Sequence, residues 1–238
     1  MKELKMITTL FVESGDTKPD KDLIYLKKAT YPLKRILEWY FDAGKKILDV
    51  TAGERKTWNA TIINNETLPS GDKLYDITFL DSSRDAKTDV VADFRKIPFP
   101  DDSFDIIYFD PPFMRLSNAR ESFGIRQPHT FRPFYFRQND ERFIPPEAYF
   151  FQTWKEFNRI SKNGLIVKIS ERYENLREIP VTTYMDLAYD NIFNKNSNFK
   201  RCVKIGYRGW HAGMGAKMIH AQRVLTYFVV YKKNLRQR

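Results

Sequence analysis

The chain has 238 residues, 42% of them hydrophobic and 15% aromatic, which suits one α/β domain with a substantial core and is short for two. Forty Lys and Arg residues against thirty Asp and Glu give a net charge of +10, which indicates a polyanionic partner unless the protein is simply basic. The single cysteine, Cys202, excludes a disulfide framework and any cysteine-cluster metal site. No run approaches the roughly 18 apolar residues of a membrane span, and no signal peptide is recognised, so we expect a cytoplasmic protein without membrane contact.

The first part of the chain, residues 1–30, is an N-terminal extension of unknown role. It holds a strand-like run from Met6 to Val12 and then a turn region. Tyr31-Pro32 opens a predicted helix, because proline is favoured in a first turn, and Gly44 is its expected end. The apolar residues of this helix recur at helical spacing and are Leu33, Ile36, Leu37 and Tyr40.

Three predicted strands in succession lead into side chains suited to binding a ligand. Lys46 to Val50 runs into the small-residue turn Thr51-Ala52-Gly53, where a glycine lets a ligand approach the backbone closely. The strand beginning at Tyr75 ends in Asp81, and the short strand beginning at Asp89 ends in Asp93-Phe94. A carboxylate in the position of Asp81 can accept both hydroxyls of a ribose, although capping of the next turn is the alternative.

The fourth strand, Phe104 to Phe109, is a buried apolar run that ends in Asp110-Pro111-Pro112-Phe113. A proline after Asp110 forces that residue into an extended conformation, and two successive prolines stiffen the corner. The corner therefore presents a carboxylate, bare carbonyls and an aromatic face at the carboxyl end of a strand, where open α/β sheets bind ligands. The alternative is a turn in which the aspartate only caps the next segment.

This corner has the groups needed to activate a planar amino group. The amino nitrogen of a nucleobase is a poor nucleophile, because its lone pair is delocalised into the ring. If Asp110 and the Pro111 carbonyl each accept one of its hydrogens, the nitrogen becomes pyramidal and its lone pair points outward. Phe113 would stack on the ring and hold it in place.

The motif resembles that of class I S-adenosyl-L-methionine-dependent methyltransferases acting on exocyclic amino groups of DNA or RNA, which has the form (Asp/Asn/Ser)-Pro-Pro-(Tyr/Phe/Trp). The resemblance covers about residues 30 to 115 and, more weakly, the last strands. It implies methyl transfer from that cofactor without a metal, most often to adenine N6 when the first residue is aspartate, with guanine N2 also known. The catalytic residues would be Asp110, Pro111, Pro112 and Phe113.

The resemblance also implies a cofactor site. Thr30 and Tyr31, before the first helix, would bind the methionine end, and Asp49 would face the amino acid part. The backbone of Thr51, Ala52 and Gly53 would pass beneath the cofactor, and Asp81 would hold the ribose. Asp93 would contact the adenine amino group, with Phe94 beside the ring. The chain departs from the family where a second glycine is usual, two positions after Gly53, because Arg55 stands there.

Residues 114–145 form an inserted loop rich in arginine and aromatic residues, with no lysine. The planar guanidinium group of arginine can donate two hydrogen bonds to a phosphate, and aromatic rings can stack on unstacked bases. The loop is therefore a candidate nucleic-acid-binding surface. A self-packed loop with solvated arginines is the alternative. A glycine-rich segment, residues 209–217, is a candidate second contact. The nucleic-acid-binding candidates are Arg115, Arg120, Arg126, Arg132, Arg137, Trp210 and Lys217.

The remaining elements predict the fold of that family. A helix begins at Pro146-Glu147, buries an aromatic stripe and stops at Gly164, and a fifth strand spans Leu165 to Ser170. A helix is expected over residues 183–193, and the last two strands, Phe199 to Tyr207 and Val224 to Tyr231, form an antiparallel hairpin. We therefore predict a single Rossmann-like α/β domain over residues 1–238, with a seven-stranded, mostly parallel sheet and helices on both faces.

Several functions remain open on the sequence. An adenine-specific DNA methyltransferase is favoured over an enzyme acting on N6 of adenine or N2 of guanine in tRNA or rRNA. A small-molecule or protein-glutamine methyltransferase fits the fold but explains the charge poorly. A non-catalytic nucleic-acid-binding protein is favoured if Arg55 blocks the cofactor. Sequence choice would come from loops, the N-terminal segment, an accessory protein or a second copy of the chain.

Overall fold

The computed structural model describes two helices and eleven strands. The described residues are 10–12, 23–26, 32–42, 45–55, 57–58, 75–111, 146–170, 172–174, 177–179, 185, 188–189, 199–208 and 225–233. The helices are α1 (Pro32–Tyr40) and α2 (Pro146–Ile160). Neither is both long and apolar enough to cross a lipid bilayer.

The strands up to the proline corner are β1 (Leu10–Val12), β2 (Leu23–Leu26), β3 (Lys45–Asp49), β4 (Tyr75–Asp81), β5 (Val90–Val91) and β6 (Phe104–Phe109). After it come β7 (Ser161–Ser170), β8 (Arg172–Glu174), β9 (Arg177–Ile179), β10 (Phe199–Arg208) and β11 (Leu225–Lys233). Strands β8 and β9 pair with each other as a small antiparallel sheet.

The main sheet has nine strands in the order β1-β2-β10-β11-β7-β6-β3-β4-β5. Strand β11 runs antiparallel to its neighbours β10 and β7, and the other neighbouring pairs are parallel. Seven of these strands form the predicted mostly parallel sheet with its antiparallel C-terminal hairpin, so the predicted Rossmann-like fold is confirmed. The N-terminal extension contributes β1 and β2, which lengthen the sheet beyond β10.

Successive side chains of β6 alternate between the two faces of the sheet, as the pleat requires. Ile107 and Phe109 pack in the core that contains the aromatic stripe of α2, whereas Ile106 and Tyr108 pack in the core under α1. The prediction that the stripe on α2 is core is therefore confirmed, and its members are Phe150, Trp154, Phe157 and Ile160. Described helices lie on both faces of the sheet, as predicted.

Both predicted helix ends were placed too late. Helix α1 ends at Tyr40 and not at Gly44, and α2 ends at Ile160, directly before β7. Gly164 lies inside β7, where an added Cβ would collide with the backbone oxygen of Tyr231 and lie 3.1 Å from the Phe41 ring. The glycine is therefore required by close strand and helix packing and not by a helix cap.

Candidate active site

The chain reverses its direction of travel across the sheet between β3 and β6. From β3 it continues outward through β4 to β5, and it then returns to β6 on the other side of β3. In open α/β sheets, the crevice outside the carboxyl ends of the strands at such a switch point is where ligands bind. The turn after β3 and the proline corner after β6 both lie there.

The strand register places Thr51 beside Asp110, because Asp49 pairs with Tyr108 two residues earlier. The Thr51 hydroxyl accepts a hydrogen bond of 2.8 Å from the backbone N–H of Asp110 and lies 3.4 Å from Asp49 Oδ1. The N–H of Val50 donates to the Tyr108 carbonyl at 3.1 Å. The two predicted motifs therefore meet at the switch point and are hydrogen-bonded to each other.

The Asp110 carboxylate is partly exposed, with 19% of its side-chain surface accessible. It forms an ion pair with Lys168 of β7, whose Nζ lies 2.6 Å from Asp110 Oδ2. The Tyr108 hydroxyl lies 3.5 Å from the same oxygen. Pro111 is buried, which agrees with a stiff corner behind the carboxylate. Pro112 and Phe113 lie outside the described residues, so their predicted roles stay predictions.

Asp49 is buried, and both its oxygens accept hydrogen bonds from the protein. Oδ1 receives the Thr51 N–H at 2.9 Å and Oδ2 receives the Trp58 indole N–H at 2.7 Å. Burial raises the pKa of Asp49 to about 7, against the opposing effect of these hydrogen bonds. Asp49 thus shapes the turn after β3, and its predicted contact with a cofactor stays a prediction.

The turn Thr51-Ala52-Gly53 places its glycine in the left-handed region of backbone conformation. Gly53 has a φ of +48°, and among the described residues an added Cβ would meet no heavy atom nearer than the Thr51 carbonyl oxygen at 4.0 Å. The space that a side chain would fill is therefore open above the backbone. Ala52 is buried and its N–H donates to the Leu80 carbonyl at 3.1 Å, which fixes the turn against β4.

Asp81, at the carboxyl end of β4, joins the turns after β3 and β4. Its Oδ2 accepts the Gly53 N–H and its Oδ1 accepts the Ser83 N–H, both at 2.9 Å. Burial raises the pKa of Asp81, because only 1% of the residue is exposed and its charge is poorly solvated. Binding of a ribose by Asp81 stays a prediction. The observed role of its carboxylate is to hold the turns after β3 and β4 together.

Asp93 and Phe94, predicted to contact an adenine, follow β5. The Asp93 carboxylate is held by Arg95, whose Nε lies 2.9 and 3.0 Å from its two oxygens. Burial by itself would raise the pKa of Asp93, but the hydrogen bonds and charge of Arg95 lower it overall. Phe94 is buried against Phe109, with 5.3 Å between ring centroids. The adenine contacts of both residues stay predictions.

Arg55 occupies the position of the expected second glycine and adopts a glycine-like conformation, with a φ of 56°. Its guanidinium lies 3.9 Å from the centroid of the Phe79 ring, donates to the Lys87 carbonyl at 2.5 Å and pairs with Asp89 at 2.8 Å. These contacts hold the side chain against the connection between β4 and β5. The arginine therefore supports the turn after β3, and its own contacts offset the backbone strain.

The contribution of Arg55 can be separated by two variants. We expect Arg55→Ala to be less stable than Arg55→Gly by about 1 kcal/mol, because both lose the guanidinium contacts but only glycine accepts a positive φ without cost. Urea unfolding of the two variants measures this difference. Equal stabilities, or a more stable alanine variant, would show that the turn is not strained.

Asp49 makes stability depend on pH in a defined direction. Its pKa is about 7 in the folded chain against an ordinary value of 3.8, so the folded state binds the proton more tightly and stability falls as pH rises between those values. We expect Asp49→Asn to remove this slope. The free energy of unfolding of the variant, relative to that of the wild type, should therefore rise by on the order of 1–4 kcal/mol from pH 4 to pH 7. Unfolding curves across that range measure it. Asp42→Asn, at an exposed carboxylate, is the control and should change nothing.

Several predicted site residues lie outside the described residues. They include the two residues before α1 and the candidate nucleic-acid contacts, which are Thr30, Tyr31, Arg115, Arg120, Arg126, Arg132, Arg137, Trp210 and Lys217. The inserted loop 114–145 and most of the predicted helix 183–193 also lie outside them. These predictions stand as made.

The sequence analysis missed Lys168 and Trp58, which contact Asp110 and Asp49. A signal was available for Lys168, because it is the one charged residue in the predicted strand Leu165 to Ser170 and it stands near the carboxyl end. Trp58 follows the turn after β3 without a recognisable pattern. Its burial against Phe79 and Tyr108, with ring centroids 6.3 and 5.2 Å away, is a tertiary effect.

No protein-family model and no curated protein matches the sequence. Similar solved structures include a SAM-dependent methyltransferase from Methanosarcina mazei, 12% identical, covering 83% of this chain and 96% of that one with a TM-score of 0.47. A SAM-dependent methyltransferase from Aquifex aeolicus is 14% identical over 84% and 88%, with a TM-score of 0.42. The cyclase SpnF is 13% identical over 86% and 80%, with a TM-score of 0.49. Because these TM-scores lie below 0.5, the fold assignment rests on the strand order given above.

Proposed function

We propose that the chain transfers a methyl group from S-adenosyl-L-methionine to an exocyclic amino group of a nucleobase, with adenine N6 in DNA as the favoured target. The observation that carries this proposal is the Asp110 carboxylate. It is partly exposed at the switch point of the sheet, is followed by two prolines, and is hydrogen-bonded through its own N–H to the turn after β3. A carboxylate fixed in this way is better suited to accept a hydrogen bond from an amino group of a ligand than to cap the next segment of the chain.

The cofactor fits the residues after β3 and β4. Among the described residues, the space over Gly53 is open to a ligand close to the backbone, and the Asp81 carboxylate lies beside it, hydrogen-bonded to the Gly53 N–H. S-Adenosyl-L-methionine would supply an electrophilic methyl group on a sulfonium. Thr51, Ala52 and Gly53 would line its site, and Asp81 would hold its ribose.

The protein's part in the reaction is to position the target. The base is turned out of its helix or taken from a single strand, and its amino group donates hydrogen bonds to Asp110 and to the Pro111 carbonyl. With S-adenosyl-L-methionine bound, the nitrogen lone pair would form the N–C bond as the C–S bond breaks, and the electron pair of that bond would remain on sulfur. The excess proton leaves the nitrogen through Asp110 or water. Alignment of this kind accounts for roughly 7–11 kcal/mol in favourable cases.

A nucleic-acid target is supported by the net charge of +10 and by the arginine-rich segment 114–145. Adenine N6 is the favoured target atom because an aspartate begins the motif, and this choice rests on the resemblance alone. The motifs do not distinguish DNA from RNA, and DNA is the substrate that we propose first. The direct test is transfer of a radiolabelled methyl group to separate pools of unmodified DNA and RNA. Label in DNA supports the proposal, label in RNA alone moves the target to RNA, and label in neither contradicts it.

We also expect binding of nucleic acid to weaken steeply with salt, because basic side chains that neutralise phosphates release counterions. A protein making 6–10 phosphate contacts loses about 10³–10⁵ in affinity between 50 and 200 mM salt. Fluorescence anisotropy with a labelled oligonucleotide measures the slope. An affinity that does not change with salt concentration would contradict electrostatic binding of a polyanionic partner.

A further inference from the structure

Lys168 lies in the same row of strand ends as the proposed catalytic residue. Phe109 pairs with Val167, so the next residues along, Asp110 and Lys168, stand side by side on β6 and β7. Thr51 occupies the equivalent place on the other side of Asp110. The three residues therefore form a row across three neighbouring strands, with Asp110 in the middle.

The two neighbours hold different parts of Asp110. Thr51 fixes its backbone through a hydrogen bond of 2.8 Å to the N–H, and Lys168 fixes its side chain through an ion pair of 2.6 Å. Within the described part of the chain, the side-chain donors to this carboxylate, Lys168 and Tyr108, both reach Oδ2. The arrangement leaves Oδ1 as the oxygen available to a ligand.

We propose that Lys168 is a positioning residue for the transfer: by binding Oδ2 it fixes the plane of the Asp110 carboxylate, so that Oδ1 accepts the hydrogen of the target amino group. This inference rests on the proposed function. It adds a residue that the methyltransferase motif does not contain.

The physical reason is the freedom of an aspartate side chain. Rotation about χ2 of aspartate is broad, so a carboxylate held only by its backbone presents its oxygens over a wide range of directions. A charge-assisted hydrogen bond is short and directional. The side chains of Lys168 and Asp110 are only 18% and 19% exposed, so water competes less with this pair than with an ion pair on the surface.

The test compares three variants in the labelled-methyl assay at saturating cofactor. Lys168→Met removes the charge at similar length, and Lys168→Arg keeps a cationic donor. Lys162→Met removes an exposed lysine at the other end of the same strand and is the matched control. We expect Lys168→Met to lower kcat by about 10²-fold, the cost of a small misplacement, with KM little changed. Lys168→Arg should retain much of the kcat that Lys168→Met loses, and the control should have the kcat of the wild type.

A thermal-unfolding cycle with Asp110→Asn, Lys168→Met and the double variant measures the ion pair without any turnover. Non-additive changes support the pair, and additive changes contradict it. Lys168→Gln replaces the methionine variant if that variant does not fold.

Each outcome separates the two proposals. An unchanged kcat in Lys168→Met would show a merely structural pair, and a raised KM with unchanged kcat would show a contact to nucleic acid; either result overturns the positioning role while the proposed function stands. If wild type transfers no methyl group to DNA or RNA, the proposed function itself fails, and the role of Lys168 fails with it.

Discussion

Asp110→Ala is expected to lower methyl transfer by about 10³-fold or more, since it removes the acceptor that orients the amino group and aids charge development on nitrogen. Cofactor affinity should stay within about threefold of wild type, because the residues proposed to hold the cofactor follow β3 and β4. Single-turnover assays measure the first effect, and calorimetry with S-adenosyl-L-methionine measures the second.

The control for this variant is Asp101→Ala, at an exposed carboxylate before β6 that pairs with Arg159. It removes the same chemical group near the amino end of the strand and should leave transfer unchanged. Asp110→Ala also leaves Lys168 without its partner, so folding must be checked by thermal unfolding. A folded Asp110→Ala protein that turns over at the wild-type rate would remove the aspartate from the mechanism.

Asp81→Ala is expected to have the largest effect on cofactor binding. The variant removes the acceptor of the Gly53 and Ser83 N–H groups, which become unsatisfied at a cost of about 1–3 kcal/mol each. It also removes the proposed ribose acceptor. We expect cofactor affinity to fall by about 10²-fold or more, because a loss of roughly 3 kcal/mol corresponds to that factor.

The comparison that isolates this effect is Asp76→Ala, at an exposed aspartate on the same strand. It should leave cofactor affinity unchanged. Asp81→Asn retains one oxygen acceptor and should lie between alanine and wild type. Calorimetry that showed equal affinity for all these proteins would mean that the cofactor does not approach the turns after β3 and β4.

The strands of the predicted sheet could be found in their order along the chain because each carried a local signal, whereas β2, β8 and β9 were not predicted. Strand β4 was predicted with its observed bounds, since it follows a polar connection and ends in an acid. The helix ends were harder, because Gly164 resembles a helix stop locally. Its true reason is the close approach of Tyr231, a residue far along the chain. No local pattern contains that information.

The site was predictable at the level of motifs but not of contacts. Asp49, Thr51, Asp81 and Asp110 come together at the switch point, as parallel strands in this order require. Which oxygen each donor reaches depends on side chains from other strands, as with Lys168 on Asp110. The positive φ of Arg55 was also hidden, because arginine gives no sign of a left-handed turn.

We propose that the chain places a methyl group on an exocyclic amino nitrogen held by Asp110. The most direct measurement is mass spectrometry of nucleosides after incubation of mixed DNA and RNA with trideuteromethyl-labelled S-adenosyl-L-methionine. We expect labelled N6-methyladenine in DNA from the wild type, and none from Asp110→Ala. Nucleosides without label, or label on a ring atom and not on an amino group, would contradict it.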